Sequence, residues 1–190
     1  MNVNLGYEAP DFTAETTHGA IAFHEWLGGG WGVLLSHPRD FSPFCTDDVG
    51  LIGRMKDEIV KRNTKVIGVG VEPDGELNYS PTGTEGSRAA AAAFPMIVDR
   101  ERRVSRLYGM NHPIVGDTAP VRSVFVVGPD RKLKLIHVYP RGKGRDFDEI
   151  LRVMDSLQEA DEGSRRSLRR DGFSMSVPRR RAVTSAEAFP

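Results

Sequence analysis

Two apolar runs separated by an amphipathic segment constrain the fold more than any other feature of this sequence. The first run, WGVLL, occupies residues 31–35, and the second, KVIGVGV, occupies residues 65–71. Between them, apolar residues recur at every third or fourth position: Val49, Ile52, Met55 and Ile59. This spacing predicts a helix from about residue 46 to residue 62 with one buried side. A strand, helix, strand succession of this length predicts a parallel strand pair and the α/β fold class.

Further strands are predicted in the second half of the chain. The segment FPMIVD at residues 94–99 predicts a strand, and residues 100–108 predict a helix. Two more apolar segments, at residues 121–127 and 133–139, flank a Gly-Pro-Asp turn and predict a hairpin. The alanine run at residues 89–93 is compatible with a helix, a low-complexity link or a poorly defined stretch.

A last helix is predicted to begin near Asp146, whose carboxylate can cap it together with Glu149. Its apolar stripe consists of Phe147, Ile150, Leu151, Met154 and Leu157. We expect this helix to end around Gln158, because the chain beyond it is rich in arginine and serine without apolar periodicity. The sequence therefore predicts one domain over residues 1–160 and a C-terminal extension or flexible arginine-rich tail over residues 161–190.

Composition limits the classes of partner and compartment. The 26 basic and 26 acidic residues balance, which gives no electrostatic reason to expect nucleic acid as a partner. No apolar run approaches the roughly 20 residues that span a bilayer, so no membrane partner is expected. The first residues, MNVNLGYEAPDF, have no secretory pattern, and the one cysteine of the chain has no partner for an internal disulfide. These features predict a cytoplasmic protein.

The one cysteine lies in the stretch SHPRDFSPFCTDD, residues 36–48, at the predicted start of a helix. At that place the helix dipole and nearby cations can lower the pKa of Cys45 far enough to produce the reactive thiolate. An unpaired intracellular cysteine is more often a small buried apolar residue. Here Pro38 and Pro43 stiffen the segment, and Ser42 places a hydroxyl three residues before the sulfur. This polar, constrained setting favours a nucleophile.

The segment FHEWLGGGWGVLLSHPRDFSPFCTDDVG resembles the active-site region of one-cysteine peroxiredoxins of the peroxiredoxin 6 type. A second segment, VRSVFVVGPDRKLKLIHVYPRGKGRDFDEILRVMDSLQ, resembles a later strand pair and helix of the same family. The similarity extends from about Leu5 to Gln158 and is weak between about Pro73 and Ala93. It implies a thioredoxin-like fold with a central mixed sheet flanked by helices and a C-terminal extension.

The resemblance also implies a thiol-dependent peroxidase that reduces hydrogen peroxide and organic hydroperoxides. By this resemblance, Cys45 is the residue that attacks the peroxide and becomes a sulfenic acid, and the residues named next have the following roles. Pro38 shields the thiolate, and the Ser42 hydroxyl binds the peroxide. Arg122 stabilises the thiolate and polarises the peroxide oxygens.

His37, Arg145 and Asp48 match further residues of the substrate pocket, although glutamate is usual where this chain has Asp48. With no second cysteine, the sulfenic acid must be reduced by an external thiol or by another chain. The resemblance further implies a homodimer or larger homo-oligomer, and neither a cofactor nor a metal is predicted.

Two other functions are alternatives to the peroxidase. A redox sensor or chaperone-like binding protein could use oxidation of Cys45 as a switch while keeping the same fold. A phospholipase activity needs a serine nucleophile in a GxSxG segment, and Gly30 occupies that serine position although His24 and Asp130 remain at matching places. The sequence therefore rejects the phospholipase and leaves the sensor open.

Overall fold

Seven strands and four helices are described in the computed structural model of this chain. The described residues are 3–37, 55–70, 93–110, 121–139 and 145–170. Their strands are β1 (Thr13–Thr16), β2 (Gly19–Ala22), β3 (Trp31–His37), β4 (Thr64–Gly70), β5 (Met96–Val98), β6 (Arg122–Val127) and β7 (Leu133–Tyr139). Their helices are α1 (Phe23–Leu27), α2 (Lys56–Lys61), α3 (Arg103–Leu107) and α4 (Phe147–Arg170). The predicted helix over residues 46–62 is thus described only at its end, and the alanine run lies almost wholly outside the described residues.

The seven described strands form one mixed sheet in the order β2-β1-β5-β4-β3-β6-β7. Strands β3, β4 and β5 are parallel to one another, and the other neighbours are antiparallel. The β3–β4 register runs from Trp31 opposite Thr64 to His37 opposite Gly70. The predicted parallel pair and the predicted hairpin, β6 with β7, are therefore both confirmed.

The sheet carries apolar packing on both faces. On one face, Phe23 of α1 and Tyr108 after α3 pack in a cluster with Leu34, Ile67 and Phe125 from the strands. On the other face, residues of β3 and β4 line a cavity of about 30 Å³ together with residues of α2 and α4. The α2 and α4 residues in this lining belong to the apolar stripes of the two predicted helices: Met55, Ile59, Phe147, Ile150, Leu151 and Met154. These described members of both stripes thus face the sheet.

Helix α3 begins at Arg103, later than the predicted residue 100, because Asp99 organises the turn before it. The Asp99 carboxylate accepts hydrogen bonds from the backbone N–H groups of Val104 (3.2 Å) and Ser105 (2.6 Å). Arg102 has a left-handed backbone with φ of 54°, so regular helical geometry starts only after it.

The predicted end of α4 at Gln158 is wrong, because the helix continues to Arg170. Local interactions along this stretch account for the extension: Asp161 pairs with Arg165 and Glu162 with Arg166, both at 2.9 Å and four residues apart. A helix can thus persist without an apolar stripe when its residues favour helix.

By their contacts the residues form two compact units, Met1–Asp155 and Ser156–Pro190. The first unit contains the sheet, and α4 contributes residues to each unit. The predicted domain boundary at residue 160 stays a prediction. None of the described helices has the length and apolar character needed to span a membrane.

Candidate active site

The carboxyl end of β3 is where the chain leaves the sheet toward Cys45. Strand β3 ends at His37, whose backbone pairs with Gly70 of β4. The predicted site residues Pro38, Ser42, Cys45 and Asp48 lie outside the described residues, and so does the side chain of His37. The structure therefore describes the residues that lie next to the end of β3, but not the segment that contains Cys45.

Strands β3 and β6 stop pairing with each other near this end. Their antiparallel ladder runs from Gly32 opposite Val127 to Leu35 opposite Val124. The next positions on the two strands are Ser36 and Ser123, and their buried side chains replace the ladder with hydroxyl contacts. The Ser36 hydroxyl accepts hydrogen bonds from the Ser123 N–H at 2.7 Å and from the Ser123 hydroxyl at 3.0 Å.

Two arginines are buried beside these serines. Arg145 retains 5% of its accessible surface and Arg122, the first residue of β6, retains 7%. One terminal nitrogen of Arg145, Nη2, donates to the backbone carbonyl of Ser36 and lies 3.5 Å from that of Ser123. The structure therefore brings the predicted residues Arg122 and Arg145 to the same end of the sheet. Positive charge buried there favours an anion nearby, such as a thiolate.

The start of α4 fixes the place of Arg145. The Asp146 carboxylate accepts a 2.9 Å hydrogen bond from the backbone N–H of Glu149, which confirms the predicted N-terminal cap. Because Arg145 directly precedes this capped turn, the position of the helix start determines where its backbone enters the site.

Three polar residues near the site were not predicted from the sequence: Ser36, Ser123 and Tyr139. Tyr139 lies opposite Arg122 in the β6–β7 ladder, and its buried ring stacks on His137 with 4.3 Å between ring centroids. The sequence signal for Ser36 and Ser123 was present, since each is a second polar residue beside the polar end residue of a mostly apolar strand.

His24 has a structural role. Its ring nitrogen Nε2 lies 2.8 Å from the carbonyl oxygen of Ala9, to which it donates, and the ring is buried.

A Cβ atom at Gly30 would lie 3.0 Å from the backbone oxygen of Asn63, which is tighter than ordinary van der Waals contact. This chain has no serine at position 30, and a serine side chain placed there would be crowded. Among the described residues, no group of three His, Cys, Asp or Glu side chains is arranged to hold a metal ion.

Comparison with known proteins identifies the family. Residues 5–136 match the AhpC/TSA family. The chain belongs to this family. Peroxiredoxin-6 of Rattus norvegicus is 46% identical, over 81% of this chain and 72% of the relative. The 1-Cys peroxiredoxin of Dictyostelium discoideum is 36% identical, over 84% of this chain and 66% of the relative.

A solved structure supports the same assignment. The yeast mitochondrial 1-Cys peroxiredoxin aligns with a TM-score of 0.73 and 38% identity, over 85% of this chain and 79% of that one. The predicted thioredoxin-like fold and the resemblance to one-cysteine peroxiredoxins are both confirmed. This peroxiredoxin is therefore a thiol-dependent peroxidase, and the sensor alternative is not favoured.

Proposed function

We propose that Cys45 is the peroxidatic cysteine and that it reduces hydrogen peroxide and organic hydroperoxides. Its thiolate attacks the terminal peroxide oxygen, so that an S–O bond forms as the O–O bond breaks. The leaving oxygen takes a proton and departs as water or an alcohol, and Cys45 remains as a sulfenic acid. The observation that carries this proposal is the burial of Arg122 and Arg145 beside the end of β3. Cys45 follows His37, the last residue of β3, by eight residues, so the length of the connecting chain limits its distance from their charge.

Each of the surrounding residues has its own role in the proposed reaction. Arg122 stabilises the thiolate and the charge that develops on the departing oxygen. Ser42 donates a hydrogen bond to the peroxide, and Pro38 shields the sulfur from water. His37, Arg145 and Asp48 complete the pocket, and the contact of Arg145 with the Ser36 carbonyl supports its placement at the end of β3.

The reductant is proposed to be an external thiol. The chain contains one cysteine, so the sulfenic acid of Cys45 must form a disulfide with a thiol from another molecule, releasing water. A second thiol then reduces that disulfide and regenerates the Cys45 thiolate. The yeast relative is described as resolved via glutathione and thioredoxin systems, which supports testing a tripeptide thiol and a protein dithiol separately.

A homodimer in the cytoplasm is also proposed. Strand β7 is one of the two outer strands of the described sheet, and the described chain covers its outer edge only at its start, where Leu133 bonds to residues 6 and 7. Val138, near the other end of β7, is 55% exposed. An edge strand with an exposed apolar residue is suited to pair with a second copy. A single cysteine without an internal disulfide fits a reducing compartment.

The substitution Cys45→Ser tests the proposal. We expect it to abolish peroxide consumption without unfolding the protein, because a serine hydroxyl is nearly isosteric but is not ionised at neutral pH. Peroxide loss would be followed with excess thiol, and thermal unfolding would confirm that the variant is folded. Mass spectrometry of the wild-type Cys45 peptide after peroxide treatment should show added oxygen. Full turnover by the variant would reject Cys45 as the nucleophile.

A further inference from the structure

The hydroxyl of Ser36 binds both peptide groups that flank Arg122. It donates to the carbonyl oxygen of Val121, in the peptide group before Arg122. It also accepts a 2.7 Å hydrogen bond from the N–H of Ser123, in the peptide group after Arg122. The φ and ψ torsions of Arg122 are the only soft backbone torsions between these two rigid peptide groups. One side chain on β3 thus restrains the backbone of Arg122 on β6.

The hydrogen-bonding capacity of this hydroxyl is fully used. A serine hydroxyl has one hydrogen and two lone pairs. The hydrogen goes to Val121, and the lone pairs accept from the N–H and the hydroxyl of Ser123. Ser36 has no accessible surface (0%), so water does not compete for these bonds. A buried group with all its partners in place holds one geometry.

This contact occurs where the backbone ladder between β3 and β6 has stopped. The last paired residues are Leu35 and Val124. Beyond them, the Ser36 hydroxyl accepts the N–H of Ser123 in place of a backbone carbonyl, and Arg145 donates to the Ser36 carbonyl. The serine therefore keeps the two strand ends at a defined separation although they no longer pair.

We propose that Ser36 is a positioning residue for the peroxidase reaction, which holds the backbone of Arg122 in register with the end of β3 that leads to Cys45. The inference rests on the proposed function, because it takes Arg122 as the residue that acts on the peroxide. Ser36 itself does not touch the reacting atoms. Its effect is geometric, since small displacements of a catalytic group cause large losses of rate.

The test compares Ser36→Ala with the wild type in the second-order reaction with hydrogen peroxide. The rate is measured across pH and compared where Cys45 is fully ionised in both proteins. We expect a fall of about tenfold or more at that pH, and substantial recovery in Ser36→Thr, which keeps the hydroxyl. Ser36→Val is the isosteric partner of Ser36→Thr and should stay slow. The Thr and Val pair also decides the question if Ser36→Ala does not fold.

Ser105→Ala is the control for loss of a buried hydroxyl as such. Ser105 is equally buried, and its hydroxyl donates a 2.6 Å hydrogen bond to Asp99 next to α3. We expect this variant to lose stability and to keep the wild-type peroxide rate. A similar fall of the rate in Ser105→Ala and Ser36→Ala would show a general effect of destabilisation and would overturn the inference.

A double variant tests whether Ser36 acts through Arg122. If it does, Ser36→Ala should slow the Arg122→Ala protein little further, so the two effects are not additive. An equal tenfold fall in both backgrounds contradicts the inference, as does a wild-type rate in Ser36→Ala. If Arg122→Ala alone reacts at the wild-type rate, the failure lies in the proposed role of Arg122. If Arg122→Ala is slow and Ser36→Ala is fast, only the role of Ser36 fails.

Discussion

At the scale of single residues, the proposed chemistry depends on how Arg122 uses its charge. Its guanidinium can act in two ways, by raising the fraction of Cys45 present as thiolate or by stabilising the transition state of peroxide cleavage. The two roles differ in geometry, because the first needs only a nearby positive charge. The second needs donors aimed at the oxygen that is being attacked. The fixed backbone and burial of Arg122 favour the second role.

The variants Arg122→Lys and Arg122→Ala separate these roles. Lysine keeps the charge but loses the planar fork, so we expect the peroxide rate of Arg122→Lys to fall by about tenfold or more, equivalent to ~1.4 kcal/mol. The pKa of Cys45 should rise less in Arg122→Lys than in Arg122→Ala. Second-order rates are measured at a pH where Cys45 is fully ionised in all three proteins. Equal rates there would limit Arg122 to controlling the thiolate population.

Resemblance identified Arg122 and Arg145, but sequence reasoning did not find Ser36. The reason is the distance in sequence between the partners. Ser36 bonds to Val121, 85 positions away, and to Arg145, 109 positions away. A local pattern reveals that a polar residue interrupts an apolar strand, and only the paired strands reveal what that residue contacts.

At the scale of elements, the apolar runs predicted β3, β4, β6 and β7 well because each of these strands is long and mostly apolar. The hairpin of β1 and β2 was missed, since its strands have four residues each and mix polar with apolar side chains. Its stability comes from packing of its partly buried residues on the core, which the segment alone does not encode.

An ion pair joins α2 to α4. Arg62, which follows α2, donates to both carboxylate oxygens of Asp155 at 2.6 and 2.9 Å. The hydrogen bond from Arg62 lowers the pKa of Asp155 below its usual value. A carboxylate with a lowered pKa stabilises the fold above its unfolded-state pKa, and this stabilisation is lost as the pH falls through the folded-state pKa.

The substitution Asp155→Asn should therefore lower the free energy of unfolding at neutral pH, and the loss should be smaller in acid. Asp155 is about half exposed, with 47% of its side-chain surface accessible, so solvent screening limits the expected loss to about 0.5–1 kcal/mol. Urea unfolding should show a constant difference above about pH 5 that shrinks below about pH 4. The exposed pair of Glu162 and Arg166 supplies the control, Glu162→Gln, with a smaller effect. A difference that grows in acid would contradict the assignment.

At the scale of the whole molecule, the fold class and family followed from the sequence because two distant segments have the same order and spacing as the matching segments of one-cysteine peroxiredoxins. The resemblance implied a homodimer or larger homo-oligomer, but the sequence did not indicate which surface pairs, since that depends on which surfaces remain open after folding. Among the described residues, the outer edge of β7 is such a surface beyond its start, and exposed Val138 lies in this strand. Exposed apolar residues also occur elsewhere, for example Val60 of α2. Exposure alone therefore does not select an interface, and the proposed homodimer rests on exposed Val138 lying in an outer strand of the described sheet.

The substitutions Val138→Glu and Val60→Glu distinguish these surfaces. The two valines are similarly exposed, at 55% and 62%, so the same charge is introduced at comparable cost to the monomer. If two copies pair through β7, Val138→Glu adds a charge of the same sign to each side of the shared interface and should weaken the dimer, while Val60→Glu should not. Light scattering across a dilution series measures the association of each variant. Dissociation by both changes would indicate a general effect of charge, and a dimer that survives Val138→Glu but is lost in Val60→Glu would place the interface on α2 instead.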